Sequence, residues 1–218
     1  MAITVKPVHS ISEAAIRVIL VAALLFLVLL AALLILKPEI DPAWRFISEY
    51  AIGRHGWLMS IAFLSMAACC VGAVLALWSQ LGIGGRIGAG FLLIGALGLT
   101  LAGIFTTDPI TTSMDTQSTS SQLHGLGAIL GDGVPLGATI ITLSLLRNKA
   151  WRAARGWLIA ILALMWIVYA WFMMSMPADG HFGPEVAIGW PSRMLMVSYC
   201  LWFLVTAWQA LRLRRQTA

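Results

Sequence analysis

Six long apolar segments, separated by short connections, account for most of this 218-residue chain. A helix needs roughly 20 apolar residues to cross the roughly 30 Å of hydrocarbon in a bilayer, and each segment meets that requirement. Charged residues make up only 11% of the sequence, whereas a soluble domain carries about 25%. The pattern predicts an all-α membrane protein, a six-transmembrane-helix bundle that forms a single membrane domain over residues 1–218. We expect helices near residues 14–36, 56–79, 86–105, 124–146, 156–176 and 192–211.

Lysine and arginine are distributed unevenly between the two sides of this predicted bundle. Cytoplasmic loops of membrane proteins carry an excess of these residues. With a cytoplasmic N-terminus, ten of them fall inside (Lys6, Arg17, Arg86, Arg147, Lys149, Arg152, Arg155, Arg212, Arg214 and Arg215) and four outside (Lys37, Arg45, Arg54 and Arg193). We therefore expect both termini in the cytoplasm. The net charge of +5 then reflects topology and contact with anionic lipids, and no nucleic-acid partner is expected.

Acidic residues and histidines collect on the predicted outer side. Most carboxylates lie there, and three histidines, His55, His124 and His181, each lie at or near the outer end of a different hairpin. Imidazoles with carboxylates suit zinc or another divalent metal, and they also suit proton transfer near neutral pH. The alternative is a set of unconnected polar side chains at helix ends, since the spacing matches no local metal signature. The three histidines are candidate metal ligands, and no cofactor is assigned.

Asp132 is the most unusual single residue, because it lies within the fourth apolar segment. It follows His124 by eight residues, which places it roughly 12 Å deeper at 1.5 Å per residue. Pro135 cannot donate to the carbonyl of Gly131, so a kink is expected there. Ionisable residues at such depth usually face protein or water. Two roles remain open: a site for a proton, cation or substrate, or a hydrogen-bonded tie between helices.

The third segment is rich in glycine. Small residues let helix backbones approach closely in lipid. We expect these glycines to pack inside the bundle rather than to form a dimer interface. They are Gly84, Gly88, Gly95, Gly98 and Gly103.

Four stretches resemble a known family: ISEYAIGRHGWLM before the second segment, GIFTTDP after the third, LHGLGA opening the fourth and GPEVAIGWPSRM opening the sixth. Together they are similar to the bacterial integral membrane family of unknown function numbered 998. The resemblance covers nearly the whole chain and implies a six-helix protein of the bacterial inner membrane with no settled activity. It implies that the recurrent polar positions are Ser48, Glu49, Gly56, Asp108, His124 and Arg193. Asp132 is not part of the resemblance.

These observations converge on an outward-facing polar pocket. Its candidate binding residues are Glu49, His55, Asp108, His124, Asp132 and Arg193. We interpret the chain as a binding or accessory membrane protein whose partners are membrane lipids and other membrane-protein subunits. One alternative is an outward-facing intramembrane enzyme, such as a metal-dependent hydrolase acting on a lipid or envelope substrate. Another is a small transporter that uses Asp132. No catalytic residue is assigned.

Overall fold

A computed structural model of the chain describes residues 11–216. Within that range six helical spans are long and apolar enough to cross a membrane, and no strand is present, which confirms the predicted six-helix membrane bundle. Lys6 and the outermost positions of the 1–218 domain lie outside the described residues. The α-helices are α1 (Glu13–Leu36), α2 (Trp57–Leu77), α3 (Ile83–Ile104), α4 (Thr119–Gly131), α5 (Gly133–Leu145), α6 (Arg155–Met174) and α7 (Gly189–Arg215).

The helices form a closed ring. Consecutive membrane spans pack together, with α4 and α5 forming one span, and α1 also packs against α7. At that junction Arg214 Nη2 lies 3.0 Å from Glu13 Oε2, and Arg214 Nη1 donates to the carbonyl of Ile11. We call the end of the bundle with the connections 37–56, 105–118 and 175–188 the long-loop end. The opposite, short-loop end carries the connections 78–82 and 146–154 and both ends of the described chain.

Glycines bring α3 close to α4 and α5. A Cβ atom on Gly127 of α4 would lie 2.6 Å from the carbonyl oxygen of Gly98, and one on Gly137 of α5 would lie 2.7 Å from that of Gly88. Such distances leave no room for a side chain, so the close approach requires glycine on both helices. The predicted internal packing is confirmed for Gly88, Gly95, Gly98 and Gly103, whereas Gly84 faces open space.

The fourth span differs from the expected uninterrupted helix 124–146. It begins earlier, at Thr119, because the Ser118 hydroxyl accepts a hydrogen bond from the Ser121 amide at 3.1 Å and caps the helix. It is also interrupted at Asp132, between α4 and α5. Pro135 lies in the first turn of α5, where its missing N–H costs little, and it leaves the Gly131 carbonyl without its helical donor. The helix is therefore two pieces that meet at Asp132.

The sixth span begins at Gly189 rather than near residue 192. The Gly189 amide donates to the carbonyl of Ala43 at 3.0 Å, which ties the start of α7 to the first long loop. That loop contains a short 3-10 helix, Ile47–Ala51. Order in this loop fixes the long-loop end of the bundle and the candidate site beneath it.

Candidate functional site

A cavity of about 420 Å³ extends from the long-loop end to Asp132. The helix α4 packs against α3, while α6 packs against α5 and α7, and the cavity fills the space between α4 and the α6–α7 pair. Its volume falls within the roughly 300–1,000 Å³ typical of small-molecule sites. The lining residues are Phe46, Ile47, Ser48, Phe63, Leu99, Ala102, Thr107, Gln117, Ser121, His124, Gly125, Gly127, Ala128, Ile129, Gly131, Asp132, Phe172, Met173, Met176, Ser192, Leu195, Met196 and Tyr199.

His124 lies on the cavity wall with one ring nitrogen already bonded. Its Nδ1 is 3.1 Å from the carbonyl oxygen of Ala102 and 2.9 Å from that of Phe105. Carbonyls only accept, so Nδ1 must carry the hydrogen, and a neutral imidazole then has Nε2 as its acceptor. The ring packs edge-on to Phe63, with centroids 5.9 Å apart. His124 thus joins α4 to the last turn of α3, and its Nε2 is left as a hydrogen-bond acceptor.

Asp132 forms the floor of the cavity at the centre of the fourth span, Thr119–Leu145. The phenol of Tyr169 on α6 lies close enough to interact electrostatically with the Asp132 carboxylate. The buried phenol of Tyr199 on α7 lies within electrostatic range of the same carboxylate and also lines the cavity. Among the described residues no lysine or arginine forms an ion pair with Asp132. The Asp132 carboxylate therefore lies near two phenols at the centre of the span, and within residues 11–216 it has no ion pair with a lysine or arginine.

Glu49 is buried in the first long loop and holds that loop to the second. Its Oε1 accepts from Arg45 Nε at 2.8 Å and from the Ile110 amide at 2.8 Å, and its Oε2 accepts from the Phe46 amide at 2.9 Å. Arg45 Nη2 also lies 2.6 Å from Oε1. Every one of these donors lies in a loop at the cavity mouth. Glu49 therefore shapes the mouth without lining the cavity itself.

Arg193 is completely buried near the start of α7. Its Nη1 donates to the carbonyls of Arg45 at 2.8 Å and Gly189 at 2.9 Å, and its Cζ lies 4.8 Å from the centre of the Tyr50 ring. Within the described part of the chain its Nε and Nη2 have no hydrogen-bond partner. Arg193 does not line the cavity. It fastens the first long loop to α7.

Asp108 holds Ser118, the residue that caps the helix carrying His124. Its carboxylate accepts from the Ser118 amide at 2.7 Å and the Ser118 hydroxyl at 3.0 Å, and its own amide donates to the Ser121 hydroxyl at 3.1 Å. These bonds fix the second long loop against the first turn of α4. Of the other positions that the resemblance singled out, Ser48 lines the cavity mouth and Gly56 is buried immediately before α2.

The three candidate metal ligands do not share a site. His124 lines the cavity, whereas neither His55 nor His181 does. The His181 side chain is 89% exposed and lies 3.6 Å from Asp179. In residues 11–216 no group of three histidine, cysteine, aspartate or glutamate side chains is placed to hold a metal ion. We therefore propose no metal site.

The predicted residues thus separate into two groups. His124 and Asp132 line the cavity, while Glu49, Asp108 and Arg193 organise the loops around its mouth. His55 belongs to neither group; its backbone φ of 62° places it in a tight turn before α2.

Sequence reasoning missed three important side chains. Tyr169 and Tyr199 lie in apolar segments, and only packing of α6 and α7 brings them to Asp132. Lys37 is buried and donates to the carbonyls of Tyr50 and Ile52; burial lowers the pKa of its ammonium group. A lysine directly after an apolar helix usually extends to the interface, so its sequence position gave no signal of burial.

No curated protein and no solved structure matches the chain. A family model described as "Protein of unknown function (DUF998)" matches residues 20–209. That match leaves out only the beginning of the first span and the end of the last span. It includes the residues that line the cavity and the loops at its mouth. The chain belongs to the DUF998 family of unknown function.

Proposed function

We propose that this protein is a ligand-binding protein of the bacterial inner membrane, with its long-loop end and cavity mouth facing outward. The observation that carries the proposal is the cavity of about 420 Å³ that ends on Asp132 at the centre of a span. An ionisable side chain at mid-bilayer is costly and is usually kept for a functional reason. The excess of basic residues at the short-loop end supports the orientation.

The loops around the mouth support binding because they are held in one arrangement. Glu49 joins the first and second long loops, and Arg193 joins the first loop to α7. A site that is already formed loses less conformational entropy when its ligand binds. The same ordered surface also suits an accessory role, in which another membrane-protein subunit contacts the long-loop end.

Transport is a second candidate function, favoured by the interrupted fourth span. Discontinuous helices near the bilayer centre form substrate and ion sites in many transporters. Here α4 ends and α5 begins at Asp132, whose carboxylate lies at the centre of the span. Flux of a bound ligand across proteoliposomes would distinguish transport from binding alone, and Asp132→Asn would abolish that flux.

The binding proposal is tested by filling the cavity. Ala128 lines it, whereas Leu126 lies on α4 outside the lining and is exposed, so Ala128→Trp and Leu126→Trp add the same side chain in two environments. Both variants are purified from membranes in mild detergent, and co-purifying small molecules and lipids are measured by native mass spectrometry. We expect the Ala128 variant to lose a bound species that the wild type and the Leu126 variant retain. Identical bound species in all three proteins would refute the proposal.

A further inference from the structure

The walls of the cavity are apolar at the level where the bilayer would surround them. Ile129 on α4 lies three residues before the central Asp132, lines the cavity and is 69% exposed. Met173 on α6 lines the opposite side and is 49% exposed. A helix is surrounded by hydrocarbon at the depth of Ile129, so an exposed side chain that also lines a cavity marks an opening toward lipid. This opening lies between α4 and the outer part of α6.

Contacts between the fourth span and α6 lie at the lower end of this gap. There Tyr169 on α6 lies close to Asp132, and nearer the short-loop end Trp166 Nε1 donates to the Thr139 hydroxyl at 2.9 Å, which joins α5 to α6. Above these contacts α4 packs against α3. A molecule dissolved in the outer leaflet can therefore reach the cavity from the side.

The polar groups inside the cavity are suited to a hydrogen-bond donor. Asp132 and His124 both line the cavity, and a carboxylate and the Nε2 atom of a neutral imidazole both accept hydrogen bonds. No lysine or arginine is among the described residues that line the cavity. An anionic head group would meet the carboxylate without a cationic partner and would be strongly disfavoured at this depth. An ammonium or hydroxyl group would instead satisfy the carboxylate.

We propose that the cavity binds a single-chain hydrophobic amine or alcohol. The ligand enters from the lipid between α4 and α6, and its head group donates a hydrogen bond to the Asp132 carboxylate. The inference rests on the proposed binding function and adds the ligand class and its route of entry. The apolar chain of the ligand lies along Leu99, Ala128, Ile129 and Met173, which line the cavity above the carboxylate.

The test uses a dodecylamine probe that carries a diazirine at the end of its chain. The full-length protein is placed in phosphatidylcholine nanodiscs and irradiated with the probe, and the labelled peptides are identified by mass spectrometry. We expect labels on α4 and the outer part of α6. Unlabelled dodecylamine and 1-dodecanol compete for the site, whereas dodecanoic acid competes at least about tenfold less well, the size expected for one lost charge-assisted hydrogen bond.

Two variants separate the head-group contact from the fold. Asp132→Asn weakens dodecylamine labelling roughly tenfold. The matched control is Thr206→Val, which removes the hydroxyl that donates to the Trp202 carbonyl far from the cavity, and it leaves labelling unchanged. Size-exclusion profiles show whether both variants fold. The comparison of amine with acid on the wild-type protein decides the head-group question even if Asp132→Asn does not fold.

The outcomes distinguish this inference from the binding proposal. If Ala128→Trp abolishes labelling but dodecanoic acid competes as well as dodecylamine, the cavity binds ligand and the donor head group is refuted. Labels confined to the long loops would refute entry between α4 and α6. Labelling that survives Ala128→Trp unchanged would overturn both proposals.

Discussion

Glu49→Ala should destabilise the long-loop end more than any other single carboxylate replacement there. The Glu49 side chain is 1% exposed and that of its ion-pair partner Arg45 is 18% exposed. Removing the carboxylate leaves that guanidinium and the amides of Phe46 and Ile110 without their acceptor. Breaking a buried ion pair by deleting one partner costs about 3–5 kcal/mol. Because Arg45 retains some solvent contact, we expect a loss of about 3 kcal/mol.

The free energy of unfolding can be measured by titrating purified protein in mixed micelles with SDS and following circular dichroism. Hydrogen exchange reports the local effect, since the amides of Phe46 and Ile110 should exchange faster in the variant. Glu185→Gln is the control, because Glu185 is exposed in the third long loop, and it should change stability by less than about 1 kcal/mol. A Glu49→Ala variant within about 1 kcal/mol of wild type, with unchanged exchange at both amides, would refute the reasoning.

Two further predictions concern topology and helix packing. A single cysteine at Thr112 should react with a membrane-impermeant maleimide added to intact cells, and one at Lys149 should react only after the membrane is opened; the reverse pattern would place the cavity mouth in the cytoplasm. Gly127→Ala should lower stability by about 1–3 kcal/mol, because its Cβ would lie 2.6 Å from the Gly98 carbonyl oxygen. Gly90→Ala, whose Cβ meets no atom within 4 Å, should be neutral or stabilising by up to about 1 kcal/mol, and an equal loss for both variants would contradict the packing argument.

The sequence was sufficient to predict the spans because each is a local property. Runs of apolar residues and the positions of proline and glycine indicate where helices cross and where they stop. The early start of α4 also had a local cause, since Ser118 is a favoured capping residue. It was missed because the hydroxyl-rich stretch before it is equally typical of a loop.

The candidate site depends on contacts between residues that are distant in sequence. Glu49 accepts a hydrogen bond from the Ile110 amide, and Arg193 donates one to the Arg45 carbonyl. No spacing pattern in the sequence encodes such pairs. The pairing of Asp132 with Tyr169 depends likewise on how α6 packs against the fourth span. Sequence could therefore single out the polar residues, but it could not separate those that line the cavity from those that hold its mouth.

The pairing of Arg214 with Glu13 places the first and last described helices side by side at the same face of the membrane. A short peptide could therefore join the two ends without crossing the bilayer, while a new opening in the connection 146–154 would create termini on that same face. Such a circular permutant would insert its hydrophobic segments in a different order but should reach the same arrangement. Comparing its yield with that of the parent chain would show whether assembly in the membrane depends on the order of synthesis or only on the final packing of neighbours.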